Sequence, residues 1–266
     1  MLVERGRPAR YAGIGADEHR PFETGSNGKT MTGMLLGDAV ERGEMSLADR
    51  LDRWVPELAG AAAGELTLES LASHRSGLPR DGAHSKFTFC WVIGTNCIGA
   101  DKEVLLEDLT AATLDANIKV VYSNLGAGAL GLALTRATAM PYGQLAERLT
   151  NPLGMTETRV QTPETGPLAP RGYQPWGIRP ENWVMDAYQP VGGYVSTASD
   201  MGKYLQGVLE GRAIGMDATR QRVEWLEQPP SGMFGAPAWH CSGSLAPWTD
   251  APSSITPGEP AGIGAP

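Results

Sequence analysis

Apolar residues recur with helical spacing along much of the chain. Met31, Met34, Leu35 and Ala39 fall at i, i+3, i+4 and i+8, the stripe of an amphipathic helix, and Gly43 stands where a left-handed C-terminal cap belongs. This helix is predicted to start directly after Phe22–Glu23–Thr24–Gly25–Ser26, which puts Ser26 at or just inside its N-terminus. A second helix is predicted over Leu66–Ser73, capped by Thr67 and facing the core through Leu68, Leu71 and Ala72, with His74–Arg75–Ser76–Gly77–Leu78–Pro79 ending it. Further helices are predicted around Leu105–Leu114, over the Gly-, Ala- and Leu-rich segment Asn124–Arg136, and from about Ser199 to Leu209 with Thr197 or Ser199 as cap.

Strand patterns are shorter. Arg10–Tyr11–Ala12–Gly13–Ile14–Gly15 reads as a strand broken by glycine, and Gly192–Gly193–Tyr194–Val195–Ser196 as another. Pro163, Pro167, Pro170, Pro175 and Pro180 forbid regular helix or central strand over residues 160–183, so a long loop is predicted there. Asp81–Gly99, with Phe87, Phe89 and Trp91, is read as a lid-like loop, and Pro257–Pro266 has the composition of a disordered tail. No internal repeat is present.

The formal charge of −8, without a basic cluster, leaves no electrostatic footprint for nucleic acid, which is excluded as a partner. No apolar run reaches the roughly 20 residues needed to cross a bilayer, so no membrane partner is expected. The start Met1-Leu2-Val3-Glu4-Arg5-Gly6-Arg7 lacks the apolar core of a secretory signal; the expected location is cytoplasmic as written, and periplasmic or secreted if a leader preceded this sequence. Cys90, Cys97 and Cys241 are an odd and sparse set, read as buried thiols; the Cys90/Cys97 pair with His84 lacks a fourth ligand for zinc, so neither metal nor cofactor is expected.

Ser26–Asn27–Gly28–Lys29 places a hydroxyl and an amine three residues apart, on one face of a helix start. A serine needs a base to become a nucleophile, and a lysine serves where burial or a nearby cation disfavours its charged form. A helix N-terminus adds backbone N–H groups able to stabilise an oxyanion. Gly28–Lys29–Thr30 also imitates the end of a phosphate-binding loop, but Glu23 stands where that loop needs glycine and Pro21 where it needs an apolar strand.

Tyr122–Ser123–Asn124 matches the Y-x-N triplet that accompanies S-x-x-K in class C β-lactamases. Phe22–Thr30, Leu71–Leu78, Asn151–Thr158 and Gly192–Met201 are similar to further signatures of the same group, in its order and approximate spacing. The chain therefore resembles the serine β-lactamase and penicillin-binding-protein-like family, which includes D-alanyl-D-alanine carboxypeptidases and related esterases. The resemblance implies an α/β (α+β) fold in which an antiparallel sheet flanked by helices meets a helical lobe. It implies a single catalytic domain over residues 1–240, the helical lobe at about 30–190 inserted in the α/β lobe, and a Pro/Gly-rich tail over 241–266.

It also implies a serine hydrolase working through an acyl-enzyme on a small-molecule ester, β-lactam or peptide. Ser26 would attack, Lys29 and Tyr122 would manage its proton, and Asn124 would bind substrate or orient Lys29. The family's third motif has its nearest match in Trp239–His240–Cys241–Ser242–Gly243, with glycine one position late, making His240 the candidate that meets substrate. Both ends are shorter than the family's, so open sheet edges would admit a second copy as a homo-oligomer. The rival reading is a catalytically impaired member that senses a ligand or serves assembly.

Overall fold

Helix α1, Gly28–Glu41, runs through the middle of the molecule rather than over its surface. The apolar stripe predicts one buried face, yet Lys29, Thr32 and Asp38 are buried along with Met31, Met34, Leu35, Leu36 and Ala39. The reason is tertiary: other helices cover α1 on several sides, so polar positions are enclosed and find partners inside. The computed structural model describes residues 1–85, 100–117, 120–173, 177 and 179–220. The three cysteines, the aromatic residues of the lid-like segment, His240, the domain boundary near 240 and the tail lie outside the described residues.

Short helices α2 (Leu51–Trp54) and α3 (Leu68–Ala72) are followed by α4 (Lys102–Ala111), α5 (Asn124–Thr138) and α6 (Tyr142–Thr150). Then come α7 (Gln189–Gly192), α8 (Ala198–Glu210) and α9 (Met216–Arg220). Helix α1 packs against α5, α6, α7 and α9, and α5 in turn against α2, α3, α4, α6 and α7. The glycines of α5 let neighbours approach: a Cβ on Gly131 would sit 1.9 Å from Pro190 Cγ. Glu41, at the end of α1, accepts from the backbone N–H groups of Gly215, Asp217 and Ala218, tying the start of α9 to it.

The sheet has three antiparallel strands in the order β1 (Phe22–Glu23), β3 (Tyr194–Ser196), β2 (Arg159–Val160). Phe22 pairs with Ser196 and Arg159 with Val195, so the central strand joins the segment before the nucleophile candidate to the chain that follows α6. This antiparallel sheet with its surrounding helices is the α+β arrangement expected.

Several expectations change in detail. Arg10–Gly15 forms no strand; Arg10 makes one isolated bridge to Leu2, and Gly15 adopts a left-handed φ of 73° that ends extension. The helix expected at Leu105–Leu114 starts earlier, because the Asp101 carboxylate accepts from Val104 N at 3.0 Å, and stops at Ala111, where Ala112 turns extended. Thr67 and Thr197 cap α3 and α8 as predicted, accepting from Ser70 N and Asp200 N. Helix α6 was not anticipated, although Tyr142, Leu145, Ala146 and Leu149 show the i, i+3, i+4, i+7 pattern and all are buried. Between Val160 and Gln189 the described residues form no regular element, as the prolines require. No helix of the described residues is long and apolar enough to cross a membrane.

Candidate active site

Ser26 lies in a single 3-10 turn, Gly25–Asn27, that runs directly into α1. The turn is hung on β3: Thr24 donates to Tyr194 O through its amide at 2.9 Å and its hydroxyl at 3.2 Å. Two glycines make the seat. A Cβ on Gly192 would lie 2.6 Å from Gly25 O, and one on Gly28 would lie 2.8 Å from the Tyr194 ring. The nucleophile candidate is thus set against the junction of α7 and β3 with no room for a larger residue.

Lys29 is 2% exposed, and its Nζ donates to Ser26 Oγ at 3.3 Å and to Val191 O, in α7, at 2.9 Å. It also lies 4.7 Å from the centre of the Tyr122 ring. These neutral acceptors and a π face hold the amine in place while hydrating it far less than water would. Behind α7, Thr32 Oγ1 donates to Pro190 O at 2.8 Å and shares a hydrogen bond with Tyr142 Oη, which shares another with Tyr194 Oη at 3.0 Å. Burial pushes the Tyr142 phenol up to about 12 and the Tyr194 phenol well above its ordinary value, so both remain neutral hydroxyls bracing the wall behind Lys29.

Tyr122 reaches the same point from the start of α5, where its hydroxyl donates to Ser26 Oγ at 2.5 Å. Its backbone is fixed on both sides. Val121 N donates to His74 O at 2.9 Å, and Ser123 caps α5 by accepting from Gly126 N at 2.9 Å while donating to Pro79 O at 2.7 Å. His74 takes the left-handed conformation that ends α3, with φ 58°, and its ring packs 4.9 Å from that of Tyr122. Its Nδ1 accepts from Ser123 N at 3.3 Å.

Asn124 is 2% exposed; its side-chain amide donates to Asp81 Oδ1 at 2.7 Å and its backbone N–H to Arg80 O at 2.7 Å. The structure therefore brings Ser26, Lys29 and Tyr122 together, with Asn124 beside Tyr122 and engaged by Asp81. Three contributors escaped the sequence: the Val191 carbonyl, Asp81, and Arg80, whose guanidinium lies 5.0 Å from the Tyr122 ring centre. A main-chain oxygen carries no residue-type signal, and Arg80–Asp81 read as ordinary loop residues after Pro79.

The signatures at 151–158 and 192–201 meet around the buried Asp200. Its carboxylate accepts from Glu157 N at 2.7 Å, Thr158 Oγ1 at 2.9 Å and Lys203 Nζ at 2.7 Å, and Thr158 also bonds Ser196 Oγ at 2.8 Å. This ties β2, β3 and α8 together, and with them the seat of the Ser26 turn. A cavity of about 600 Å³ opens on the far side of α7, lined by Tyr142, Gln189, Pro190 and Tyr194 among others, and Ser26, Lys29, Tyr122 and Asn124 take no part in it.

The β-lactamase family model matches residues 1–256. The chain is 32% identical over 190 residues to the D-alanyl-D-alanine-carboxypeptidase/endopeptidase AmpH of Escherichia coli K12, covering 68% of this chain and 47% of that protein. It is 27% identical over 232 residues to a β-lactamase of Providencia stuartii, covering 85% of this chain and 55% of the other. The chain thus spans about half the length of these curated relatives. A class C β-lactamase structure from Rhodobacter sphaeroides superposes with a TM-score of 0.62 at 26% identity, covering 76% of this chain and 56% of that one. Sequence match, shared fold and the meeting of the S-x-x-K and Y-x-N segments agree, and the chain belongs to the β-lactamase family.

Proposed function

We propose that the chain is a serine acyl hydrolase with Ser26 as nucleophile, acting on ester or amide substrates, β-lactams and peptides included. One observation carries this reading: Ser26 Oγ lies within hydrogen-bond distance of both Lys29 Nζ and Tyr122 Oη. A hydroxyl held between an amine and a phenol can lose its proton as it attacks, which is the requirement for nucleophilic catalysis by serine. The names of the relatives, a β-lactamase and a D-alanyl-D-alanine carboxypeptidase, support acyl transfer from a lactam or peptide carbonyl.

In the proposed sequence Lys29 enters as the neutral amine; Oγ bonds to the acyl carbon and its proton passes to the Lys29–Tyr122 pair. The bond to the leaving group then breaks, and the leaving alkoxide or amine takes that proton. Water next attacks the acyl-enzyme, gives its proton to the same pair, and releases the carboxylic acid as Oγ recovers its hydrogen. Backbone N–H groups at the start of the turn are suited to the oxyanion. Asn124, its NH₂ held by Asp81, serves as a positioning residue beside Tyr122.

The test is intact mass after incubation with an ester-type serine probe, paired with p-nitrophenyl butyrate and nitrocefin assays. The expected result is one adduct per chain, absent in Ser26→Ala, with weak ester hydrolysis and slow or absent nitrocefin turnover. The third-motif match at Trp239–Gly243 carries its glycine one position late; an impaired oxyanion donor costs about 10²–10³ in rate, and a lactam relies on that donor more than an activated ester does. A folded sample that takes no adduct and hydrolyses no ester overturns the reading in favour of a ligand-sensing or assembly role.

A further inference from the structure

We infer that the cavity of about 600 Å³ on the far side of α7 is a binding site for a small organic ammonium, an amine carried on an aromatic or branched apolar body, with Asp186 receiving the charge. The site is separate from Ser26 and its partners and does not rest on the acyl-hydrolase reading. Its volume lies in the range that small-molecule sites occupy, and apolar surface gathered in one concave place is the usual mark of such a site.

Four elements build the walls. Leu132 comes from α5, Tyr142 and Ala146 from α6, Val160 from β2 and Pro190 from α7. Hydroxyls among the lining residues are already engaged: Tyr142 Oη bonds Thr32 Oγ1 and Tyr194 Oη, and Thr158 Oγ1 bonds Asp200 Oδ2 and Ser196 Oγ. These residues therefore add ring and methyl surface rather than free donors. Gly143, in α6, keeps the space open, because outside its own helix a Cβ there would meet only Val160 Cβ, at 3.9 Å.

The charged lining residues select the sign of the ligand. Lys102 pairs with the adjacent Glu103 at 3.6 Å, and Arg159 donates to Thr158 O at 2.8 Å, so both cations have acceptors of their own. Asp186 is different. Partial desolvation, and after it the carboxylates of Glu164, Asp101 and Glu103, push its carboxyl above its ordinary value, and no cation opposes them. An ammonium seated beside Asp186 relieves that repulsion, whereas a carboxylate ligand adds to it. Asp186 is exposed, so the charged head sits at the rim while the apolar body enters between Leu132, Val160 and Pro190. Gln189, on the same wall, brings an amide oxygen able to accept from the ammonium. The net charge of −8 favours the approach of a cation.

The test titrates the full chain, followed by NMR, with three probes of one shape: 2-phenylethylammonium, 2-phenylethanol and 3-phenylpropionate. The ammonium is expected to bind with a Kd on the order of 1 mM, as its size allows. The alcohol is expected to bind about five-fold more weakly, the worth of a partly exposed ion pair, and the carboxylate most weakly of all. Asp186→Asn brings the ammonium level with the alcohol, and Asp186→Lys reverses the order of the two ions. Gly143→Leu fills the cavity and abolishes binding of all three while melting no lower than wild type. Undiminished binding in a folded Gly143→Leu overturns the cavity as the site. Tightest binding of the carboxylate to wild type, or an order of affinities unchanged in Asp186→Lys, overturns the ligand class and the role of Asp186. Should Gly143→Leu fail to fold, the two Asp186 variants decide alone. None of these readouts requires Ser26 to be a nucleophile, so failure of the hydrolase reading leaves them standing.

Discussion

The two chain segments that converge on Ser26 Oγ are both helix starts, and they are held by opposite means. At α5, Ser123 closes the first turn with its own hydroxyl, and Val121, Ser123 and Asn124 are each bonded to the 74–81 segment. At the Ser26 turn neither Thr24 nor Asn27 places a side-chain cap on the helix. That turn is held instead by shape, through the close approach of Gly25 and Gly28 to Gly192 and Tyr194, and by the Thr24–Tyr194 bonds. The difference suits their proposed tasks. A segment that presents a phenol can saturate its amides internally, whereas one that must accept a developing oxyanion is better fixed by packing, which leaves N–H groups for substrate.

The comparison can be broken at four points. Tyr122→Phe keeps the ring that packs on His74 but removes the hydroxyl, and it is expected to lower kcat for p-nitrophenyl butyrate by about 10²–10⁴ with little change in melting temperature. Equal losses of activity and stability would show that Tyr122 matters only as packing. Gly192→Ala drives a methyl into Gly25 O and so strikes the seat of the Ser26 turn; it is expected to cost about 1–3 kcal/mol of stability and to slow probe labelling of whatever remains folded. A variant that melts and labels like wild type would refute the packing account.

Ser123→Ala removes the cap of α5 and the bond to Pro79 O, for about 1–2 kcal/mol in chemical denaturation, while activity falls less than in Gly192→Ala because the Val121 and Asn124 clamps remain. The smallest effect concerns Asp38, buried in α1. Burial raises its carboxyl above its ordinary value, against the lowering pull of Arg42 and Arg148. A carboxyl with a raised folded value holds its proton more tightly when folded. Its contribution is therefore complete below the unfolded value near 4 and lost as pH rises through the folded value. Asp38→Asn is expected to melt slightly higher than wild type at pH 7 and equally at pH 3.5, and a difference of the same size at both values would remove burial of the charge as the cause.

Much of the site was legible in local pattern. S-x-x-K spacing and the Met31–Ala39 stripe placed Ser26 and Lys29 on one helix start, and Thr67, Thr197 and Gly43 marked boundaries that the structure keeps. These are local because capping and helical periodicity depend on neighbours within a turn. Strand Arg10–Gly15 failed for the complementary reason. A strand needs a partner edge that sequence does not supply, and here the sheet was completed by Phe22–Glu23 and Arg159–Val160 instead. The apolar spacing of helix α6 is as regular as that of α1.

By itself, then, the sequence determined the residue types that carry the proposed chemistry, their order, and the helix starts that present Ser26 and Tyr122, because those depend on side-chain identity and short-range geometry. Only the tertiary structure decided that Tyr122, 96 positions further along the chain, returns its hydroxyl to 2.5 Å from Ser26 Oγ. It likewise decided that a carbonyl of α7 holds Lys29, and that Arg80 stands exposed beside the Tyr122 ring. Those relations arise from the packing of distant elements around α1, and long-range packing leaves no periodic mark on the chain.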